Sequence, residues 1–470
     1  MTFHRNPLNR IVFSFLFSAF CWGLCNATAF ASPEHPVVVI DPGHGGENMG
    51  GEYGDFTEKF ITQITADAMA EELSRYDNVT VYLTRNADVD LSLKERCDIA
   101  SSHDADLLIC LHYNLSENHT LFGAECWVSM FDPYYREGYA LASEFIHQFK
   151  ERGLFIRGIK TRMNSKGTDY YGILRESVDL GLQTVLVEHA HMDEDRDVSF
   201  CDEEEDWICF GKMDATAVAK YLGLSSEELG VDYSDHVRTY PEVVTSKMVP
   251  DESAPIISEL SLESIRMDEP VTVTGNDEKI AFTGEATFTL EGMDPESGLL
   301  YYDYSLDGIH FSPLQPFCEG GDPESIKQGS VTFTVPVEKA KVSPRVVCRV
   351  YNGYDLDTLS NEVVLEELSF TQKELDLLEG RTALVQAEPS VDERAGEDQS
   401  FESDVEEITT LQVPSEETKQ PMDREQKILI TLVSLLALAG LLFTLGLVLL
   451  IRHVFRDQKR KRKNHNDPFG

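Results

Sequence analysis

Between His35 and Leu224, short apolar segments alternate with segments of helical periodicity. Short apolar runs favour buried strands, and apolar residues that recur every three or four positions favour helices. The alternation predicts an α/β domain with a twisted, mostly parallel sheet and helices on both faces. The predicted strands are Val37–Ile40, Val79–Leu83, Ala105–Leu111, Ala124–Val128 and Thr184–Glu188, and the predicted helices are Glu58–Ser74, Leu93–Ala100, Tyr139–Phe149 and Phe210–Leu222.

Three of the predicted strands are followed by, or end in, a residue that can bind a metal or move a proton. His44 lies in the turn after the first strand, His112 ends the run LLICLH, and Glu188 ends the run TVLVE. The carboxyl ends of parallel strands meet at one sheet edge, where ligands bind. Two imidazoles and a carboxylate are a common catalytic zinc site, and a second carboxylate can transfer protons there. Three acids could supply the carboxylate ligand: Glu52, Asp55 or Glu58.

Several short motifs occur in this region in a specific order. They are IDPGHGG (Ile40–Gly46), Glu58-Lys59, YLTR (Tyr82–Arg85), LSLKER (Leu91–Arg96), DLLICLHYN (Asp106–Asn114), Gly123-Ala124-Glu125, ILRES (Ile173–Ser177) and VLVEH (Val185–His189). Together they resemble the zinc-dependent N-acetylmuramoyl-L-alanine amidases of the Amidase_3 family. The resemblance covers about His35–Leu224, which is less than half of the chain.

The resemblance implies a reaction and a set of site residues. It implies that His44, Glu58 and His112 bind Zn2+ and that Glu188 is the catalytic carboxylate. The implied substrate is peptidoglycan, cleaved at the amide bond between the lactyl group of N-acetylmuramic acid and L-alanine of the stem peptide. Arg175 is a candidate for binding a substrate carboxylate through its planar guanidinium, and a structural ion pair is the alternative.

Two other functions stay open beside the amidase. One is a cell-wall-binding protein that is catalytically silent or activated by a partner, and the other is a zinc peptidase that cuts within the stem peptide. The presence of all four key residues favours an enzyme. The chain has 40 Lys and Arg against 82 Asp and Glu, a net charge of −42, which predicts that nucleic acid is not a partner.

The remaining segments predict an exported protein with accessory parts. Residues 1–31 resemble a signal peptide, with cleavage after Ala31 and a second possible site after Ala29. Residues 35–224 are the catalytic domain, and the polar segment 225–253 is a linker. Regularly spaced short β runs over 254–366 predict an Ig-like β-sandwich, which could bind a wall or protein ligand. The acidic composition of segment 367–426 predicts a disordered stalk.

The C-terminal part of the chain predicts a membrane anchor. Residues 428–451 are uncharged and apolar, which favours one transmembrane helix, and the basic segment 452–470 favours a cytoplasmic tail. The predicted location is therefore the cytoplasmic membrane, with a single-pass C-terminal helix and the catalytic domain outside the cell, on the wall side.

Overall fold

The structure is a computed structural model that describes residues 35–268, 271–273 and 279–378. Its first part is an α/β domain. The strands of this part are β1 (Val37–Pro42), β2 (Glu52–Tyr53), β3 (Phe56–Thr57), β4 (Thr80–Leu83), β5 (Leu107–Asn114), β6 (Ala124–Val128), β7 (Ile156–Lys160), β8 (Gln183–His191), β9 (Ser225–Ser226) and β10 (Val231–Asp232). The helices are α1 (Glu58–Leu73), α2 (Leu93–Ser102), α3 (Tyr134–Arg152), α4 (Gly172–Leu180), α5 (Asp195–Val198) and α6 (Glu204–Leu222).

Six of these strands form one sheet in the order β4-β1-β5-β8-β6-β7. All neighbouring pairs run parallel except β6 and β8, which run antiparallel. The mostly parallel sheet expected from the alternating pattern is therefore present. Strand β7 and helix α4 are additions to the predicted elements, and both contribute to the surroundings of the site described below.

The central strands are apolar on both faces because helices cover both faces of the sheet. On β1, Val38 and Ile40 belong to a core that includes Met69 of α1 and residues of α3 and α6. Val39, between them in sequence, belongs to the opposite core, which includes Ile173 of α4 and residues of α2. Successive side chains of a strand point to opposite faces, so the unbroken apolar run serves two cores.

The second part of the structure is all β. Its strands are β11 (Ile256–Met267), β12 (Val271–Val273), β13 (Lys279–Ala281), β14 (Thr283–Met293), β15 (Leu299–Ser305), β16 (Gln315–Pro316), β17 (Gln328–Glu338), β18 (Arg345–Asn352), β19 (Asp357–Leu359) and β20 (Val363–Val364). One antiparallel sheet has the order β11-β14-β17, and another has the order β16-β15-β18-β19, with β20 paired to β18. Phe288, Phe333 and Val350 lie in the apolar core that both sheets share. Two antiparallel sheets packed over one core form a β-sandwich, and the Ig-like assignment of 254–366 stays a prediction.

The β-sandwich packs directly against the α/β domain at strand β7, the edge strand of the large sheet. The backbone N–H of Ile156 donates to the carbonyl of Gly320 (2.9 Å), and the N–H of Asp322 donates to the carbonyl of Ile156 (2.7 Å). Beside this edge, the buried ring of Tyr301 contacts Phe122 and Phe155, with ring centroids 4.8 and 5.3 Å away. Apolar packing and backbone hydrogen bonds therefore join the two domains.

The predicted fold class is wrong in one respect, the transmembrane helix. Within the described ranges no helix is long and apolar enough to cross a membrane. The longest described helices, α3 and α6, have 19 residues each and carry charged residues along their length, whereas a spanning helix needs about 20 mostly apolar residues. The segment 428–451, for which the helix was expected, lies outside the described residues. The supported fold is an α/β domain with a β-sandwich.

Other predicted segments are also wholly or largely outside the described residues. These are the signal peptide at 1–31, most of the stalk at 367–426 and the basic tail at 452–470. At the start of the predicted stalk the structure has a 3-10 turn (Glu366–Leu368) and a short helix, α7 (Gln372–Leu378).

Candidate active site

The loop after β1 holds His44 in an unusual backbone conformation. His44 has a φ of 60°, in the left-handed region that residues other than glycine rarely adopt. Two side chains stabilise it there. Arg96 donates from Nη2 to the carbonyl of His44 (2.6 Å) and from Nη1 to the buried carboxylate of Asp41 (2.7 Å). The Nδ1 of His44 forms a hydrogen bond with Oδ1 of Asn48 (3.0 Å), so Nε2 is the nitrogen left for a ligand.

Glu58 is the first residue of helix α1 and is buried. Its Oε2 accepts a hydrogen bond from the backbone N–H of Gly51 (2.7 Å), and its Oε1 accepts one from the N–H of Tyr113 (3.1 Å). These two donors belong to the β1 loop and to strand β5. The carboxylate is therefore held from two sides before any ligand binds.

His44, Glu58 and His112 form one compact cluster. Nε2 of His44 lies 3.0 Å from Oε2 of Glu58, and Nδ1 of His112 lies 2.9 Å from Oε1 of Glu58. The three candidate ligand atoms lie within 4.8 Å of one another. Two imidazole nitrogens and a carboxylate oxygen are a donor set that zinc prefers, so these residues fit a zinc ion. The two alternative acids, Glu52 and Asp55, are exposed on the β2–β3 hairpin and do not join the cluster.

The cluster perturbs the pKa values of its own members. Burial acts most strongly on Glu58 and opposes its ionisation, but hydrogen bonds from His112 and His44 outweigh burial and lower the pKa of Glu58. For His44, burial lowers the pKa most, whereas the hydrogen bond and charge of Glu58 raise it, and the net pKa is raised. The carboxylate therefore stays ionised, as a metal ligand must.

Glu188 lies in the same cavity as the cluster. The cavity has a volume of about 470 Å³ and is lined by Glu188, His44, Glu58 and His112 among others. Glu188 is 9% exposed, and its buried Oε2 has no hydrogen-bond partner among the described residues. Burial, followed by the negative charges of Glu58 and Glu125, raises the pKa of Glu188 well above its usual range.

Arg175 lies on helix α4, outside the residues that line this cavity. Its Nη1 donates to the backbone carbonyls of Asp169 (2.9 Å) and Tyr170 (3.3 Å). These bonds anchor the loop that ends in Tyr171, which does line the cavity. A role of Arg175 in binding a substrate carboxylate stays a prediction.

A buried histidine supports the backbone of the cluster. His189 is fully buried and bonds from Nδ1 to the carbonyl of His112 (2.8 Å) and from Nε2 to Oδ2 of Asp214 (2.9 Å). Its ring stacks on Tyr113, with centroids 4.8 Å apart. His189 thus fixes strand β5 at the position where His112 enters the cavity.

The sequence reasoning missed the buried ions around the site. Asp41, Arg96, Glu125 and Arg157 are all less than 5% exposed, and each has a partner of opposite charge. A signal was present in the sequence, because Asp41 and Glu125 each interrupt or adjoin an apolar strand. Charged residues in such positions are almost never buried without a partner.

Comparison with known proteins matches the same part of the chain. The Amidase_3 family model, described as N-acetylmuramoyl-L-alanine amidase, matches residues 38–220. The amidase CwlM of Bacillus licheniformis is 40% identical over 78 residues, which are 16% of this chain and 31% of CwlM. A putative amidase of Buchnera aphidicola from Schizaphis graminum is 30% identical over 134 residues, 28% of this chain and 56% of that protein. The chain thus spans less than two thirds of each of these curated relatives.

Solved structures are similar to part of this chain. Cwp6 from Clostridium difficile shares 30% identity, with 40% of this chain and 29% of that chain covered and a TM-score of 0.38. The amidase AmiC2 of Nostoc punctiforme shares 27% identity, with 40% of this chain and 97% of that chain covered and a TM-score of 0.35. The match of the Amidase_3 family model to residues 38–220 confirms the resemblance predicted from the motifs.

Proposed function

We propose that this protein is a zinc-dependent N-acetylmuramoyl-L-alanine amidase that acts on peptidoglycan. It cleaves the amide bond between the lactyl group of N-acetylmuramic acid and L-alanine of the stem peptide. One observation carries the proposal. A single cavity contains the cluster of His44, Glu58 and His112 together with Glu188, a buried carboxylate that is separate from the cluster.

The proposed roles follow from the surroundings of each residue. When bound by His44, Glu58 and His112, zinc supplies Lewis acidity, which polarises a carbonyl and lowers the pKa of water. Glu188 takes a proton from the attacking water and returns it to the amide nitrogen of the leaving alanine. Its buried Oε2 has no hydrogen-bond partner among the described residues, so this oxygen is available to accept the proton and return it.

We also propose that the enzyme works outside the cytoplasmic membrane, on the wall side. The signal-like segment 1–31 supports export, and the proposed substrate lies outside the cell. The net charge of −42 suits an aqueous environment rich in divalent cations.

Mass spectrometry of purified peptidoglycan after incubation with the protein tests the proposal. We expect stem peptides with a free L-alanine amino group, released only when no zinc chelator is present. Glu188→Gln should keep the zinc and lose the activity, whereas Glu52→Gln, at an exposed acid outside the cluster, should remain fully active. Cuts within the stem peptide would indicate a peptidase instead. A zinc-loaded protein without any product would favour the silent or partner-activated wall-binding function.

A further inference from the structure

We infer that the β-sandwich is a working part of the catalytic unit, because it fixes a buried ionic network directly behind the active site. Asp355 and Tyr301 of the β-sandwich hold Arg157 in place, and they therefore act as positioning residues. Arg157 in turn fixes Glu125, which lies beside Glu188. The consequence for turnover rests on the proposed function.

Arg157 lies on strand β7 and reaches across the domain boundary. Its Nη1 donates to the hydroxyl of Tyr301 (2.9 Å), and its Nη2 donates to Oδ2 of Asp355 (2.6 Å). Tyr301 is fully buried, and its hydroxyl donates to the carbonyl of Phe122 in the α/β domain. Two of the three side chains that accept from Arg157 therefore belong to the β-sandwich.

The third acceptor of Arg157 is the buried carboxylate of Glu125 on strand β6. Nε of Arg157 donates to Oε2 of Glu125 (2.9 Å), and Nζ of Lys160 donates to the same oxygen (2.7 Å). Oε1 of Glu125 accepts from Nδ2 of Asn114 on β5 (2.9 Å). Glu125 thus joins the end of β5 to the edge of the sheet.

This network borders both halves of the proposed site. Asn114 follows His112 by two residues on β5. Glu125 is the register partner of Glu188 in the antiparallel pair of β6 and β8. The charge of Arg157 also acts on Glu188, where it offsets part of the rise in pKa that burial and the neighbouring acids cause, and the net pKa stays raised. A shift of Arg157 is therefore transmitted to the strands that carry the ligand and the catalytic carboxylate.

Arg157 is too deeply buried to replace a lost hydrogen-bond acceptor. Its side chain is 3% exposed, so a lost acceptor cannot be replaced by bulk water. A buried donor without an acceptor is destabilising, and more so when the group is charged. The guanidinium and Glu125 must then rearrange together, because they form a buried ion pair.

The same boundary offers contacts that bypass the network, and these provide matched controls. The hydroxyl of Tyr139 donates to Oε2 of Glu324 (2.6 Å), and Nζ of Lys150 contacts Oδ2 of Asp322 (2.5 Å). Both contacts join α3 to the β-sandwich without touching Glu125. If the β-sandwich only holds the domains together, loss of either kind of contact has equivalent effects.

The test compares full-length variants by hydrogen–deuterium exchange and by kinetics on a disaccharide-pentapeptide. For Asp355→Asn and Tyr301→Phe, we expect faster exchange at 183–191 and 107–114. We also expect a kcat that falls by about ten- to a hundredfold, with KM and zinc content unchanged. Asp355→Glu restores the negative charge that Asp355→Asn removes and should recover part of kcat. Tyr139→Phe and Lys150→Gln should match the wild type in both measurements.

The exchange data and the kinetics separate the two proposals. Unchanged exchange at 183–191 in Asp355→Asn and Tyr301→Phe, or equal changes in the Tyr139 and Lys150 variants, would overturn the inference. If the variants show the expected changes in exchange but the wild-type protein does not hydrolyse the substrate, the proposed function is refuted and the structural coupling stands.

Discussion

Replacement of Gly50 by alanine should damage the zinc site without removing a ligand. Gly50 has a φ of 75°, and a Cβ atom added there would lie 2.6 Å from Oε2 of Glu58 and 2.6 Å from Cδ2 of His44. Both distances are below van der Waals contact, so the ligands must move. Gly54 offers a matched control because it has a φ of 56° and no atom within 4 Å of an added Cβ.

The two substitutions should lower folding stability alike but differ in their effect on zinc affinity. Alanine in a left-handed conformation costs about 1–2 kcal/mol of folding stability at either position. Only Gly50→Ala also displaces ligands, and disturbed support of a metal site typically costs about 10–100-fold in affinity. That range equals about 1.4–2.7 kcal/mol of binding free energy. We therefore expect similar losses of stability in the zinc-free proteins and a loss of zinc affinity in Gly50→Ala alone.

Competition with a chelator of known affinity measures the zinc affinity, and urea titration of the zinc-free proteins measures the stability. Equal zinc affinities in the two variants would refute the reasoning. That result would mean that the ligands do not occupy the positions beside Gly50 when zinc is bound.

Three further predictions concern stability. In zinc-free protein, Glu188→Gln should raise the free energy of unfolding, and the gain should grow as the pH rises above 4.5. The raised pKa means that the native state binds this proton more tightly than the unfolded chain does. As the pH rises towards the folded pKa, Glu188 therefore lowers the free energy of unfolding by up to about 1.4 kcal/mol per pH unit. Urea titrations at several pH values check the sign. Asp41→Asn should cost about 3–5 kcal/mol in the same assay, because it leaves the buried guanidinium of Arg96 without its carboxylate. Zinc at a hundredfold excess over its Kd should raise the free energy of unfolding by about 2.7 kcal/mol, and His112→Ala should abolish the increase.

The sequence was informative wherever a polar residue ended an apolar strand. His112 and Glu188 stood out because a buried strand does not tolerate such residues unless they are paired or functional. The turn at Pro42 and Gly43 ends the first apolar strand, so it indicated that His44 lies at the same sheet edge. The choice of Glu58 among three nearby acids needed either the family resemblance or the structure, because proximity in sequence does not determine which side chain faces the cavity.

Local patterns hint that Glu125 is buried, but they do not identify the partners that form the ionic network behind the site. Arg157 bonds to residues 144 and 198 positions away in the chain, and nothing in the sequence of β7 indicates those partners. Strand β7 itself, IRGIK, contains two buried charged residues among five and so lacks an apolar run. Its burial depends on a domain that begins about a hundred residues later, and only the tertiary structure reveals that dependence.

The loop at Gly320–Asp322 also affects how the catalytic domain can be transplanted. Exposed edge strands invite pairing with other chains, and natural proteins protect them with charges, prolines, bulges or a covering segment. Here the covering segment is supplied by another domain through its bonds to Ile156. A catalytic domain excised without the β-sandwich would expose this edge together with the apolar surface of Phe122 and Phe155. An engineered fusion should therefore retain the β-sandwich or place a lysine or a bulge on β7 to limit aggregation.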